Sequence, residues 1–306
     1  LGLGEFQEAW TRSLPEIKAA YPGLGIAPQM GLVPIGVNPR SGLWEFWHIQ
    51  SGERPSRRSG TDWEIGEETG LVFVLLPSDR VTLGAQSQDA QWPHYDPLAY
   101  DHESTREVDV KAFFISKYEL TQGQWERMTG ANPSHLSPTS RPDRVDARHP
   151  VEQVSWTECR MTLAHFGLAL PSAIQWEYSC RAGTSSPWHH GEVHTDGLEA
   201  IANLGDQAYQ RTFAEPGEDW EDGHGYHAPV GSFTPNRFEL YDMHGNVNEW
   251  CSDAFDPQRF VTRGGCFYQS ARLARATFVS PVPAHKKDWG IGVRPAAMLN
   301  AYPATR

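Results

Sequence analysis

Apolar side chains recur at near-helical spacing near the start of the chain and predict an amphipathic helix over residues 5–21. Pro15 falls inside this helix and is expected to bend or restart it, because proline lacks the backbone donor that a helix interior needs. Residues 31–52 predict short strands and turns. Within them, residues 43–49 carry apolar groups on both faces, so we expect a strand that is covered on both sides. The apolar face of the helix consists of Phe6, Trp10, Leu14 and Ile17.

The pattern changes after residues 53–68, a polar and charged stretch where we place a domain boundary. Two apolar runs, at residues 70–77 and 113–121, then predict buried strands. The sequence predicts three helices after these strands. At each predicted helix start, a hydroxyl residue stands three positions before a glutamine or glutamate, which is the spacing of a capping box. These pairs are Thr121 with Gln124, Ser155 with Glu158, and Ser172 with Gln175, and glycines that suit helix ends stand at Gly130, Gly167 and Gly183.

Residues 184–238 are rich in Gly, Pro, His and acidic residues and show no helical period. A loop region of this length in a compact domain is usually functional or held by other partners, and bound metal ions are natural candidates. The following stretch YDMHGNVNEWCSD, residues 241–253, places many side-chain oxygens around one glycine. A metal-binding loop and a buried turn satisfied by its own side chains are both compatible with this pattern.

Composition limits the possible functions. The 306 residues are 39% hydrophobic and 21% charged, which is typical of a folded chain. The net charge of −12 comes from scattered acids, so nucleic acid is not an expected partner, and no apolar run approaches the ~18 residues of a membrane span. The high counts of Trp (12), Gly (28) and Pro (23) indicate a loop-rich fold filled by aromatic rings.

Cysteine usage gives an expectation about the compartment. The chain has four cysteines and no CxxC pair, so neither a zinc knuckle nor a disulfide scaffold is expected. Reduced and mostly buried thiols fit a cytoplasmic protein. The cysteines are Cys159, Cys180, Cys251 and Cys266.

A series of motifs in a fixed order resembles the formylglycine-generating-enzyme family, also called the sulfatase-modifying-factor domain. The motifs are HPVEQVSW (149–156), LPSAIQWEYSCRAG (170–183), ANLGD (202–206), APVGSFTPN (228–236), LYDMHGNVNEW (240–250), RGGCF (263–267) and GIGVRP (290–295). The resemblance covers about residues 70–297 and implies an α+β, C-type-lectin-like fold with long loops, a small twisted antiparallel sheet and a few helices. We therefore divide the chain into an N-terminal helix-plus-strand extension (1–68) packing on the main domain, a family domain (69–300) and a tail (301–306).

The resemblance also implies two calcium sites built from hard oxygen ligands, which suit Ca²⁺. Asn203, the carbonyl of Leu204, Asp222 and the carbonyl of His224 would form the first site. Asp242, the carbonyls of Gly245 and Val247, and Glu249 would form the second. The alternative for the second site is that Asp242 and Glu249 only cap turns.

The copper site of the family is altered in this chain. The family's oxidase binds Cu(I) through two cysteines, three and eight residues after a serine in an RGGS motif. Here Cys266 replaces the serine, and Gln269 and Ala274 occupy the copper positions, so no thiolate is present at either one. The helix motif also lacks an acid at Ala173, and the last motif ends in Pro295 instead of cysteine. Formylglycine synthesis and bound copper are therefore not expected.

A second branch of the family forms carbon–sulfur bonds at a non-haem iron, with ligands from an attached DinB-like four-helix domain. The first 68 residues are too short and too strand-like for that domain. His190 and His194 have HxxxH spacing, but Gly191 lies between them, and we interpret them as surface histidines. No nucleophile-elbow pattern supports a hydrolase.

A third branch is non-catalytic and binds ligands or proteins, in some members within bacterial signalling or conflict systems. In its variable receptors the segment after RGG forms the binding surface, which corresponds to residues 266–289 here. Aromatic and arginine residues in this segment are efficient anchors. The predicted ligand-binding residues are Phe267, Tyr268, Gln269, Arg272, Arg275, Phe278, His285 and Trp289.

The sequence therefore predicts a calcium-stabilised binding module for an unidentified protein or small molecule, and membership of a larger assembly is compatible with it. One alternative is an enzyme that reuses the family pocket with Cys266 as a thiol nucleophile or metal ligand. Another is a structural module of a larger assembly with a broad apolar contact surface. An accessible Cys266 with a lowered pKa would favour the enzyme, whereas a buried and inert Cys266 would favour the binding module.

Overall fold

The computed structural model describes residues 2–58 and 62–299, so the predicted tail at 301–306 lies outside the described residues. Five α-helices are present in this part of the chain: α1 (Leu3–Ala20), α2 (Gln122–Thr129), α3 (Trp156–His165), α4 (Ala173–Arg181) and α5 (Gln207–Phe213). The strands are β1 (Leu32–Val37), β2 (Trp44–His48), β3 (Ser56–Arg58), β4 (Asp62–Glu64), β5 (Val72–Leu76), β6 (Asp79–Leu83), β7 (Arg106–Val110), β8 (Phe113–Ser116), β9 (Asn248–Ala254), β10 (Arg259–Arg263), β11 (Ser280–Pro283), β12 (Ile291–Gly292) and β13 (Ala296–Met298).

A five-stranded antiparallel sheet forms the centre of the fold, in the order β1-β2-β5-β8-β13. Every residue of β2 is buried, which confirms the prediction of a strand covered on both sides. The ring centroid of Phe46 on β2 lies 5.5 Å from that of Trp10 on α1 and 4.9 Å from that of Phe114 on β8. Strands β1 and β2 of the predicted N-terminal extension thus pair into the same sheet as β5.

A second sheet has the order β11-β10-β9-β12 and begins directly after the loop at residues 241–247. Its strands are antiparallel except for β12, which pairs parallel with β9. The pairs β3-β4 and β6-β7 form two further two-stranded sheets among the described residues. The predicted α+β, loop-rich architecture is confirmed. None of the described helices is long and apolar enough to cross a membrane.

The three predicted capping boxes are all formed. The hydroxyl oxygens of Thr121, Ser155 and Ser172 accept the amide three residues later at 3.2, 3.3 and 3.1 Å. Gly130 ends α2 in the left-handed conformation, with φ of 83°. At the end of α4 the left-handed cap is Ala182, one residue before the predicted glycine. Helix α1 continues through Pro15 as one element, so this proline does not restart it.

Helix α5 is a short element that the sequence pattern did not predict. It lies in the region at 184–238, and it starts at an N-cap where Asp206 Oδ1 accepts the amides of Ala208 and Tyr209 at 2.8 and 3.1 Å. A helix of 7 residues is too short to establish a hydrophobic period, so its cap and its packing hold it instead. The remainder of this region is mostly irregular, as predicted.

Candidate calcium sites and binding face

The loop at residues 241–247 folds back on itself through three residues with left-handed backbone. Asp242, Gly245 and Asn246 have φ of 56°, 76° and 60°. Asp and Asn adopt this conformation more readily than other side chains do. Gly245 also forms a parallel bridge with Asn203, which belongs to the other predicted calcium site. The two loops that the family resemblance singles out therefore lie against each other.

The predicted second site contains one oxygen without a partner and one carboxylate that is already paired. Asp242 Oδ2 accepts the amide of Gly231 at 2.6 Å, whereas its buried Oδ1 has no hydrogen-bond partner within the described structure. Glu249 Oε1 is 2.7 Å from Arg294 Nη2, and Glu249 Oε2 accepts the indole N–H of Trp176 at 2.6 Å. Asp242 is thus free to ligate a cation, while Glu249 would have to share its oxygens with Arg294.

A third carboxylate, which the sequence did not indicate, lies at the same place. Glu119 Oε2 accepts the side-chain amide of Asn246 at 2.6 Å, and Oε1 accepts the backbone amide of Val247 at 3.2 Å. Burial raises the pKa of Glu119 well above its usual value, and nearby Asp242 and Glu249 add to the shift. Burial also raises the pKa of Asp242 to about 6. No signal in the local sequence marks Glu119, because it reaches this loop from the end of the central sheet.

Charge at this cluster favours a cation. Glu119, Asp242 and Glu249 are buried carboxylates, and Arg294 is the buried guanidinium that faces them. Arg294 compensates one of the charges of Asp242 and Glu249, and a further negative charge develops where a cation displaces the proton of Glu119. A divalent cation beside the unpartnered Asp242 oxygen would balance them, so the residues present fit Ca²⁺.

The predicted first site also contains an unpartnered ligand atom. Asn203 donates from Nδ2 to the carbonyl of Tyr226 at 2.9 Å, and its buried Oδ1 has no partner among the described residues. The Asp222 carboxylate accepts the amides of Leu204 and His224 at 3.0 and 2.8 Å, which brings all four predicted residues of this site together. Burial raises the pKa of Asp222 to about 7, and the negative charge of Asp206 adds to the shift.

Across the described residues, no three side chains of His, Cys, Asp or Glu converge to hold a metal ion. This finding does not bear on the calcium prediction, because each calcium site would use two side chains together with backbone carbonyls.

Cys266 lies in the interior of the protein. Its side chain is buried, and a Cβ atom placed on Gly290 would meet its sulfur at 2.8 Å. Burial raises the pKa of the thiol to about 12. A reactive cysteine needs an accessible thiolate, so these properties oppose the alternative in which Cys266 acts as a nucleophile. The other three cysteines are also buried and free.

The copper positions of the family carry non-ligating groups. Gln269 Oε1 accepts the side-chain amide of Asn248 at 3.1 Å, which fixes its orientation. Ala274 is buried at the end of a short 3₁₀ helix, Ala271–Ala274. Neither position offers the thiolate that Cu(I) prefers.

The predicted binding segment at 266–289 divides into buried and accessible parts. Phe267 and Arg275 are fully buried, so the prediction that they contact a ligand at the surface is wrong for both. Phe267 packs inside an aromatic cluster, and Arg275 forms buried ion pairs with Glu103 at 2.8 Å and with Asp96. Both side chains support the segment from within.

The accessible members of this segment fall into two groups. Tyr268 and Trp289 are half-buried neighbours with ring centroids 5.8 Å apart, and Gln269 is half-buried beside Tyr268. Arg272 and Phe278 lie elsewhere, around Tyr100, with Arg272 Nη2 donating to the Tyr100 hydroxyl at 2.8 Å. His285 is exposed beyond β11.

Rings from distant parts of the chain extend the first group. Trp289 lies 5.2 Å from Phe213 and 5.9 Å from His135, and Phe213 lies 5.4 Å from Tyr226, measured between ring centroids. We call the accessible rings the aromatic face: His135, Phe213, Tyr226, Tyr268 and Trp289. Three of them lie outside the predicted segment and carry no sequence signal of their own.

Comparison with known proteins identifies the family. The family model described as a sulfatase-modifying factor enzyme 1-like domain matches residues 67–299. The chain belongs to this family. A formylglycine-generating enzyme of Streptomyces coelicolor is 36% identical over 138 residues, which cover 45% of this chain and 40% of that enzyme. The chain thus spans well under half the length of that relative.

Other relatives in the sulfatase-modifying-factor family carry different names. The bovine inactive C-alpha-formylglycine-generating enzyme 2 is 33% identical over 132 residues, or 42% of each chain. A protein of Paenibacillus barcinonensis named chaperone protein LppX is 26% identical over 216 residues, covering 57% of this chain and 76% of the relative.

Solved structures establish the same fold. Treponema denticola variable protein 1 superposes with a TM-score of 0.60 at 18% identity and covers 80% of this chain and 98% of its own. PvdO from Pseudomonas aeruginosa has the same TM-score at 22% identity, covering 80% of this chain and all of its own (100%). The predicted C-type-lectin-like fold is therefore confirmed.

In this family member, the two histidines of the HxxxH stretch do not form a common site. His194 is exposed and lies near Glu192 and Asp196, at 3.4 and 3.6 Å. His190 is half-buried, with its ring centroid 6.2 Å from that of Trp188. They differ in burial and contacts, because Gly191, with φ of 101°, turns the chain between them.

Proposed function

We propose that this sulfatase-modifying-factor domain is a non-catalytic binding module that recognises a protein or small molecule through the aromatic face. One observation carries the proposal: the surroundings of Cys266 are well packed, yet Gln269 and Ala274 supply no thiolate. Relatives named as inactive enzymes support the idea that the family fold is used without oxidase chemistry.

The composition of the aromatic face supports binding. Half-buried rings of Phe213, Tyr226, Tyr268 and Trp289 offer apolar area beside polar edges, a combination enriched at binding hot spots. The buried ring of Phe267 lies behind them, 5.6 Å from Trp289 and 5.2 Å from Tyr268 between centroids. Because this backing restricts the rings, little conformational entropy remains to be lost when a ligand binds.

Calcium belongs to the same proposal as a structural cofactor. Asn203, Asp222 and the carbonyls of Leu204 and His224 would hold one ion. Asp242, Glu249 and the carbonyls of Gly245 and Val247 would hold the other. Calcium would neutralise buried carboxylates and hold together loops that lack regular hydrogen-bond ladders. A bacterial cytoplasmic location and a role in a larger assembly remain predictions.

The catalytic alternative is tested first. Purified protein is incubated with Cu(I) and a thiol substrate, and oxygen uptake is followed beside the Streptomyces coelicolor formylglycine-generating enzyme as a positive control. We expect no stoichiometric copper, no oxygen uptake, and no labelling of Cys266 by a thiol reagent until the protein unfolds. Copper-dependent uptake, or rapid labelling of Cys266 in the folded protein, would overturn the proposal.

Binding is tested by affinity isolation from the source organism with three forms of the protein. Trp289→Ala removes the central ring of the aromatic face. Trp92→Ala is the matched control, because Trp92 is also a tryptophan, is 68% exposed and does not belong to the face. A partner retained by the wild type and by Trp92→Ala, but lost with Trp289→Ala, is the expected result. Equal loss with both variants would contradict the assignment of the face.

A further inference from the structure

A cavity of about 290 Å³ lies between the loop at 144–149 and the segment at 223–229. The cavity borders the aromatic face through Tyr226. A role for the cavity is independent of the proposed function. Basic and imidazole side chains dominate its wall. The lining includes Arg144, Arg148, His149, His224, Tyr226 and His227.

The floor of this cavity contains polar atoms without partners. His227 is 1% exposed, and neither of its ring nitrogens has a hydrogen-bond partner within the described structure. Behind it, Glu152 Oε2 is also buried without a partner, and Glu152 Oε1 lies 4.0 Å from His227 Nε2. A buried polar group without a hydrogen-bond partner is destabilising, so a polar ligand at this position would stabilise the protein.

A second histidine faces the same position. The ring centroid of His149 lies 5.2 Å from that of His227. The Nδ1 atom of His149 lies 3.1 Å from the backbone amide, 3.2 Å from the carbonyl oxygen and 3.3 Å from a carboxylate oxygen of Asp146. These contacts hold the ring through Nδ1 and leave Nε2 for a bound anion, which favours the protonated ring that donates from both nitrogens.

The charged side chains of the cavity wall indicate which class of ligand it would bind. Arg144 is exposed and forms no ion pair within residues 2–58 and 62–299, whereas Arg148 pairs with Asp146 at 2.5 Å. Two guanidinium groups and one carboxylate leave the wall positive in a chain whose net charge is −12. Burial raises the pKa of Glu152 to about 8, so at neutral pH this acid is protonated and does not repel an anion. A cationic ligand would leave the positive charge of Arg144 uncompensated.

We propose that this cavity binds an oxyanion, the carboxylate or phosphate group of a small molecule or peptide. Arg144 holds the anion at the mouth, and the rings of His149 and His227 hold it at the floor. Arginine with a carboxylate or phosphate forms charge-assisted hydrogen bonds of the stronger kind. The unpartnered nitrogens of His227 thereby gain a partner.

The test is calorimetric titration at pH 7 and constant ionic strength, with inorganic phosphate and with succinate as separate probes. Arg144→Ala should weaken binding by about tenfold, because it removes a charge-assisted contact. Arg141→Ala is the matched control, since Arg141 is an exposed arginine of the same loop that does not line the cavity. Saturation by phosphate alone assigns the site to phosphate groups, saturation by succinate alone assigns it to carboxylates, and saturation by both assigns it to either oxyanion.

The floor of the cavity is tested on the wild-type protein, because a variant of buried His227 can fail to fold. Ring nitrogen resonances of His149 and His227 should move on addition of the anion that saturates, while those of exposed His194 stay in place. Absence of saturation with both probes would overturn the proposal. Equal weakening by Arg144→Ala and Arg141→Ala, or unmoved ring signals at saturation, would also overturn it, since binding would then be a non-specific surface effect.

Discussion

Gly245 stands so close to Asn203 that a Cβ atom on the glycine would lie 2.0 Å from the Asn203 carbonyl oxygen. This approach joins the two loops that carry the predicted calcium ligands. It also explains why a glycine is required in the centre of the motif at 240–250, independently of any metal.

Gly245→Ala should therefore be strongly destabilising. The backbone clash adds to the cost of placing a side chain at φ of 76°, and we expect a loss of about 3 kcal/mol or more in the free energy of unfolding. Gly130→Ala is the control, because Gly130 has φ of 83° but open space around its Cβ position. Urea unfolding measures both variants. Similar losses for the two would show that the clash is relieved by small shifts of the loops.

Chelation should lower the melting temperature of the purified protein. Removing calcium would expose the repulsion among Glu119, Asp242 and Glu249, which Arg294 alone does not balance. Metal analysis should find about two calcium ions per chain, as the family resemblance implies, and about one after Asp242→Ala.

Asp256→Ala is the control for the calcium measurement, since Asp256 pairs only with the neighbouring surface residue Arg259 among the ion pairs of the described chain. It should leave the calcium content unchanged. A protein that contains no calcium and melts at the same temperature with chelator would show that the loop at 241–247 is a turn satisfied by its own side chains.

Glu152 should make the folded state less stable as the pH rises. Burial raises its pKa in the folded protein to about 8, above the value of about 4.3 expected in the unfolded chain. Between these values the unfolded chain has released the proton and the folded protein retains it, so stability falls as pH increases. Below about pH 4 the contribution of this group is fully present, and above about pH 8 it is lost.

Glu152→Gln removes this titration and keeps an oxygen that can accept the Leu136 amide, which now lies 2.6 Å from Glu152 Oε1. As the pH is raised from 5 to 8.5, the free energy of unfolding of the variant should increase by about 1–3 kcal/mol relative to that of the wild type. Glu126→Gln, on the exposed side of α2, should show no such gain. A constant difference across the pH range would contradict the raised pKa.

Arg275→Ala should cost about 3–5 kcal/mol of stability, because it leaves buried carboxylates without their cation. Its guanidinium is fully buried and faces Asp96 and Glu103. Arg272→Ala removes an exposed arginine from the same turn and should change stability by less than about 0.5 kcal/mol. Thermal or urea unfolding checks both, and a mild effect of Arg275→Ala would show that water enters the vacated space.

Local interactions are the part of this protein that its sequence specifies directly. The capping boxes at Thr121, Ser155 and Ser172 were predictable because both partners lie three residues apart, so their geometry follows from the helix start itself. The all-buried strand β2 was predictable because its apolar residues occupy both faces. The ordered motifs identified the family, and with it the fold.

Tertiary packing decided the remainder, because the deciding contacts join positions that are far apart in the chain. Arg275 is buried because Glu103, 172 residues away, supplies its counter-charge. Glu119 reaches Asn246 across 127 residues, and the aromatic face collects rings from separate segments. An exposed arginine and a buried one look the same in a sequence. Only the folded chain shows which of them has a carboxylate in contact, since the cost of burying a charge is offset by a partner that no local pattern specifies.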